Sequence, residues 1–116
     1  MKYDIHELVG ENAITLEDGQ RVFDLIHPNL AAGLAVELDF TRVGVYASPF
    51  FNAALGQLLR DLKPEDLNRL LKMEGLNPVG REVARRVIDN SKQYYAATED
   101  YREAQHQVLD KLAKES

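Results

Sequence analysis

Ser48 stands directly before Pro49 in the run Ser48–Pro49–Phe50–Phe51. Serine is a preferred helix cap and proline a preferred first helical residue, so this dipeptide predicts a helix start. The partial positive charge at such a start favours a phosphate. Two readings of Ser48 follow: a cap alone, or a cap that also accepts a phosphate and switches binding. Glu37 and Asp39 lie two residues apart in the segment LAVELDF and share one side of a strand. Paired carboxylates do acid–base work when one pKa is raised. The structural alternative is that Asp39, at a strand end, accepts backbone amides while Glu37 lies on an open face or an edge. Arg81, Arg85, Arg86 and Lys92 cluster after Pro78. With Arg85 and Asp89 paired at i,i+4, they form either a solvated face or a patch for an anion. Tyr94, Tyr95 and Tyr101 suit an interface or packing against their own domain.

Other chemistries are missing. His6, His27 and His106 fall in three different elements without metal-ligand spacing, so no metal site is expected. With no cysteine, thiol nucleophiles, disulfides and thiolate metal sites are excluded. The seven glycines are dispersed and form no phosphate-binding loop, and no Gly-x-Ser-x-Gly elbow occurs. No cofactor is expected. A net charge of −5 without a run of Lys or Arg argues against nucleic acid and against an anionic membrane surface. The longest uncharged stretch, Val43 to Leu59, includes Ser48, Pro49, Asn52 and Gln57 and is short for a membrane span. It reads as core. Asp4 and Glu7 interrupt the opening residues where a secretory signal needs an apolar run, so a cytoplasmic protein is expected.

The elements that must position these residues are legible in part. At 116 residues and 45% apolar content the chain fits one domain. Alternation of Tyr3 and Ile5, extended to Val9, predicts a first strand in KYDIHELV. Thr15 followed by Asp18 resembles a capping box, and Val22, Phe23, Ile26 and Leu30 make one helical face. Pro28 should kink or end that helix, and Gly33 should stop it. Leu34, Val36, Leu38 and Phe40 alternate as the clearest strand. The helix from Pro49 to about Leu62 is apolar over so much of its girth that it must be buried on two sides. After Lys63–Pro64, a short turn and then a strand near Asn68–Glu74 continues the alternation. Asn77–Pro78 opens the last helix. Taken to Ala113 that helix is about 54 Å long against a domain about 30 Å across, so it either breaks near Asn90–Ser91 or Thr98 or projects toward a partner. Val87, Tyr94, Tyr101, Val108 and Leu112 form a weak seam along it, consistent with a homodimer through residues 94–112.

Three segments carry a family resemblance: Leu38–Asp39–Phe40 with Val43, then Ser48 to Ala53, then Leu76 to Ser91. In this order they resemble the STAS-like domains of bacteria, relatives of anti-sigma-factor antagonists and of the cytosolic domains of sulphate transporters. The resemblance runs from about Thr15 to Tyr95. It implies an α/β fold, with a four- or five-strand mixed sheet backed by helices, as a STAS-like domain over residues 1–95. Residues 96–116 form a helical extension.

In antagonist members, a serine kinase of the histidine-kinase-like ATPase fold modifies a hydroxyl at the start of the helix after the Leu-Asp strand. The usual pattern there is Asp-Ser-Ser/Thr-Gly, with the second hydroxyl modified. This chain has Ala47, Ser48, Pro49 and Phe50, so proline stands at the acceptor position and Ser48 is the only hydroxyl at the tip. The resemblance implies a non-enzymatic interaction module in partner switching, with such an ATPase as partner. Its partner surface would comprise Thr41, Arg42, Tyr46, Ser48 and Asn52. The alternatives are a small-ligand or nucleotide sensor near Ser48 and Arg42, and an enzyme using Glu37 or Asp39.

Overall fold

A computed structural model describes the backbone of residues 1–115 and the side chains of residues 1–97. Strands β1 (Lys2–Asp4), β3 (Val36–Asp39) and β5 (Leu71–Glu74) form a three-stranded sheet in the order β1-β3-β5. Strands β2 (Asn12–Ala13) and β4 (Val45–Tyr46) form a separate pair. All three pairings are parallel. The expected four- or five-strand mixed sheet is therefore divided into three plus two strands. The cause lies in two connections. Residues Ile5–Val9, read from sequence as more strand, fold as helix α1 because Asp4 caps them: its Oδ1 accepts the Glu7 amide at 3.2 Å. Between β3 and β4 the chain turns through Arg42 at φ 70° and leaves the first sheet.

Helix α2 spans Leu16–Ala31 and begins where the capping pattern predicts, with Thr15 Oγ1 accepting the Asp18 amide at 3.1 Å. Pro28 lies within it rather than ending it. The stop comes at Gly33, with φ 81°: its amide donates to Leu30 and the Leu34 amide to Asn29. That pair of bonds is the Schellman arrangement, which satisfies the last carbonyls of a helix. One face of the three-stranded sheet packs on α2. Val36 and Leu38 are buried there, and Tyr3 shares the row of Leu38 and Met73 while accepting a 2.9 Å bond from Asn29 on α2. Leu34, expected on that face, is 52% exposed because the strand begins only at Val36.

The central apolar helix is three pieces in continuous sequence: α3 (Ser48–Phe51), a π-helical turn (Asn52–Gly56) and α4 (Leu58–Asp61). Phe50, Phe51, Ala54, Leu55, Leu58 and Leu59 are all buried, as two-sided packing requires. Gly19 of α2 permits the close approach on one side, since a Cβ there would stand 2.3 Å from the Phe50 carbonyl oxygen. Helix α5 (Pro64–Leu70) then takes residues Asn68–Leu70 from the predicted strand, burying Leu67 and Leu70 one turn apart, so β5 starts at Leu71.

Helix α6 runs from Pro78 to Glu115 without the break anticipated at Asn90–Ser91 or Thr98, and it passes straight through residue 95. Asn77 Oδ1 caps it, accepting the Gly80 amide at 2.8 Å. Ala84 and Val87 are buried against the body. Of the dimer seam anticipated at residues 94–112, Tyr101, Val108 and Leu112 lie outside the residues whose side chains are described.

Candidate functional site

Strands β1, β3 and β5 end at Asp4, Asp39 and Glu74, which lie in one cross-strand row. In parallel sheets the carboxyl ends of the strands are the usual place for binding. Each carboxylate here is already committed. Asp39 Oδ1 accepts the Thr41 hydroxyl at 2.6 Å and the Thr41 amide at 2.9 Å. These two bonds, hydroxyl first, hold its pKa below the ordinary 3.8. Asp4 faces Arg42 at 3.6 Å, and Glu74 faces Lys72 at 3.0 Å. The Lys72 ammonium holds the Glu74 carboxyl below its ordinary value. Glu37 lies on the same sheet face between Lys2 at 3.9 Å and Lys72 at 3.6 Å. The structural alternative for Glu37 and Asp39 thus describes their contacts, and the lowered pKa of Asp39 is opposite in sign to that of a general acid near neutral pH.

Gly75 closes this end of the sheet. Its φ is 78°, and a Cβ on it would stand 2.6 Å from the Thr41 amide nitrogen. The β5–α6 turn therefore lies directly on the Asp39–Thr41 turn. Asn77 adds a second tie, donating from Nδ2 to the Gly44 carbonyl at 3.2 Å.

Ser48 is exposed and opens α3, but the cap residue is Ala47, with extended φ −141° and ψ 152° and no side-chain cap bond. The predicted capping role of Ser48 is corrected by one position. Ala47 is held extended by its amide bond to the Ala13 carbonyl at 3.0 Å, which continues the β2–β4 pairing. Among the described residues the Ser48 hydroxyl has no hydrogen-bond partner. Asn52, Thr41 and Arg42 are also exposed.

Tyr46 differs from the other residues expected at this surface. It is 8% exposed, its ring stacks on Phe51 at 5.9 Å, and its hydroxyl donates to the Val43 carbonyl at 2.7 Å. Burial raises its pKa above the ordinary 10.0. It braces the loop from below. The alternation is visible in register: Ala13 and Tyr46 point inward, while Asn12 and Val45 point outward.

Sequence reasoning missed the exposed apolar residues on the segments next to α3. Val45 is 51% exposed, Leu16 57%, and Ile14 and Val79 are exposed as well. Val45 lies in β4 opposite Asn12, Ile14 follows β2, Leu16 opens α2, and Val79 precedes Gly80, which packs on the Tyr46 ring. No sequence period signals this exposure: Val43 and Val45 are two residues apart, yet Val43 is buried and Val45 exposed, because β4 covers only Val45–Tyr46 and two-residue strands are too short to read from periodicity.

His27 is bound to Asp61 at 2.8 Å and stacks on Phe23. Among the described residues no group of three or more His, Asp or Glu side chains is placed to hold a metal ion. Nor is any described helix long and apolar enough to cross a membrane. Two of the four cations clustered after Pro78 are neutralised in place: Arg85 reaches Glu82 at 2.7 Å and Asp89 at 3.2 Å, and Arg86 reaches Glu82 at 3.5 Å.

A family model described as a STAS-like domain of unknown function matches residues 18–81, more than half of the chain. The chain belongs to this family. The STAS-like match spans α2, β3, the 40–47 loop, the three-part helix, β5 and the start of α6, so it includes Thr41, Arg42, Ser48 and Asn52. No curated protein and no solved structure matches the chain. The STAS-like fold here is helix-rich, with a small parallel sheet.

Proposed function

We propose that this STAS-like domain is a non-enzymatic protein-interaction module of the cytoplasm. Its partner surface is the tip formed by Thr41, Arg42, Ser48 and Asn52 over the Tyr46 ring. One observation carries this reading: the exposed apolar side chains Ile14, Leu16, Val45 and Val79 belong to segments that pack on α3 or on the strand pair leading into it, and Ser48 is exposed at the start of α3. Apolar groups gathered at a polar-rimmed surface mark sites of association. The partner class is a histidine-kinase-like ATPase, which the family resemblance implies. Ser48 is its candidate phosphorylation site, because the hydroxyl is exposed and engages no other group among the described residues. Phosphorylation adds about −1.5 to −2 charge at the start of α3 and disfavours its burial against a partner.

The test is binding of the full chain to purified histidine-kinase-like ATPases from the same genome, followed by phosphopeptide mapping with ATP. Binding lost in Val45→Asp and retained in Arg69→Ala supports the surface. Absence of binding, or binding indifferent to Val45→Asp, refutes it. Modification at a site other than Ser48 removes Ser48 from the mechanism.

We further propose that α6 pairs with a second copy of the chain. The support is the length of the helix, 38 residues or about 57 Å, and the seam Tyr94, Tyr101 and Val108 at heptad spacing.

A further inference from the structure

A groove of about 600 Å³ lies at the opposite end of the three-part helix from Ser48, between the α4–α5 corner and α6. That volume is within the range of small-ligand clefts, about 300–1,000 Å³. Leu59, Leu62 and Tyr95 supply apolar lining, with Leu59 buried and the other two packed partly on the core. Arg60, Lys63 and Lys92 line it as well. Among the described residues its one carboxylate, Asp61, is held by His27 Nε2 at 2.8 Å and by Arg60 Nε at 3.4 Å.

The charge distribution makes this groove unusual in a chain of net charge −5. Most of the described lysines and arginines reach a carboxylate: Lys2, Arg21, Arg42, Arg60, Arg69, Lys72, Arg85 and Arg86. Among the described residues Lys63, Arg81 and Lys92 reach none, and Lys63 and Lys92 both line the groove. They come from opposite walls, one before α5 and one on α6. A positive pair that meets no carboxylate among the described residues, across a cleft with an aliphatic and aromatic lining, suits an anion joined to a ring.

We propose that this groove binds a small organic anion bearing a ring, with the anionic group between Lys63 and Lys92 and the ring against Leu59, Leu62 and Tyr95. The site is independent of the Ser48 surface and neither needs nor excludes the partner proposed there.

The test is amide chemical-shift mapping of the full chain titrated separately with phenyl phosphate, ADP and inorganic phosphate. Phenyl phosphate or ADP should perturb residues 59–64 and 92–96, and inorganic phosphate should bind more weakly than either because it has no ring. The double variant Lys63→Ala/Lys92→Ala should weaken the ring-bearing anion about tenfold, with thermal stability unchanged because both residues are exposed and reach no carboxylate among the described residues. The proposal is overturned if no ring-bearing anion perturbs these residues at millimolar concentration. Perturbation centred on Ser48, or an affinity unaltered in the double variant, also overturns it.

Discussion

Gly80 lies flat against the ring of Tyr46: a Cβ on Gly80 would stand 2.8 Å from Cε2 and 2.9 Å from Cζ. This contact seats the N-terminal turn of α6 on the residue that braces the 40–47 loop. Alanine in a helix is ordinarily about 1 kcal/mol better than glycine. Here the added methyl meets a ring already stacked on Phe51, and overpacking costs about 1–3 kcal/mol. Gly80→Ala should therefore lower stability by about 1 kcal/mol in urea unfolding. Gly44→Ala, where a Cβ meets nothing within 4 Å, should stay within about 0.5 kcal/mol of the parent.

The helix starts separate real caps from apparent ones. Thr15→Ala should cost about 1 kcal/mol, because Oγ1 accepts the Asp18 amide. Asn77→Ala should cost somewhat more, about 1–2 kcal/mol, since it loses both the Gly80 cap bond and the bond to Gly44. Ser48→Ala should change stability by less than about 0.5 kcal/mol, because Ala47 is the cap residue. A Ser48→Ala loss as large as that of Thr15→Ala would restore Ser48 as a cap.

Asp39 ties stability to pH through Thr41. Its carboxyl titrates below the ordinary 3.8, so the unfolded state takes up the proton first as pH falls. The contribution is complete above the unfolded value and is lost as pH drops through the lower folded value. Thermal melts from about pH 5 to about pH 2 should show the parent losing more stability than Thr41→Val, which lacks the hydroxyl donor. Equal slopes for the two proteins would show that the Thr41 bond does not set the Asp39 pKa.

Gly75→Ala should be among the most damaging single changes at this end of the sheet. A left-handed backbone costs a non-glycine residue about 1–2 kcal/mol, and the new Cβ would also overlap the Thr41 amide at 2.6 Å. A loss of about 3 kcal/mol is expected from urea titration.

Pairing through α6 predicts that the full chain sediments at twice its 13.1 kDa mass and that a chain ending at Tyr95 sediments as a monomer. The same oligomeric state for both would refute the pairing.

Local chemistry made several elements legible from the residues alone. Thr15 and Asn77 each carry an oxygen one bond from the backbone amide they cap, and Gly33 takes the left-handed turn that stops α2. The two-residue period of Val36, Leu38 and Phe40, and the broad apolar girth of residues 50–59, state which faces must be buried. Such features depend on neighbours a few residues away, so the sequence determined them by itself, together with the family.

Tertiary structure decided what depends on distant partners. Ala47 displaced Ser48 as the cap because its backbone is held extended by Ala13, thirty-four positions earlier. KYDIHELV divided between strand and helix because Asp4 turned its side chain to the Glu7 amide, while only β3 offered β1 a strand partner. Tyr46 moved from the expected surface to the interior because Gly80 and Phe51 provided a slot for its ring. The elements carrying the exposed Leu16, Val45 and Val79 met around α3, and Lys63 and Lys92 came to one groove, only through packing. Elements that are far apart in the chain meet through helix and sheet contacts, and no local period encodes which distant residues those contacts bring together.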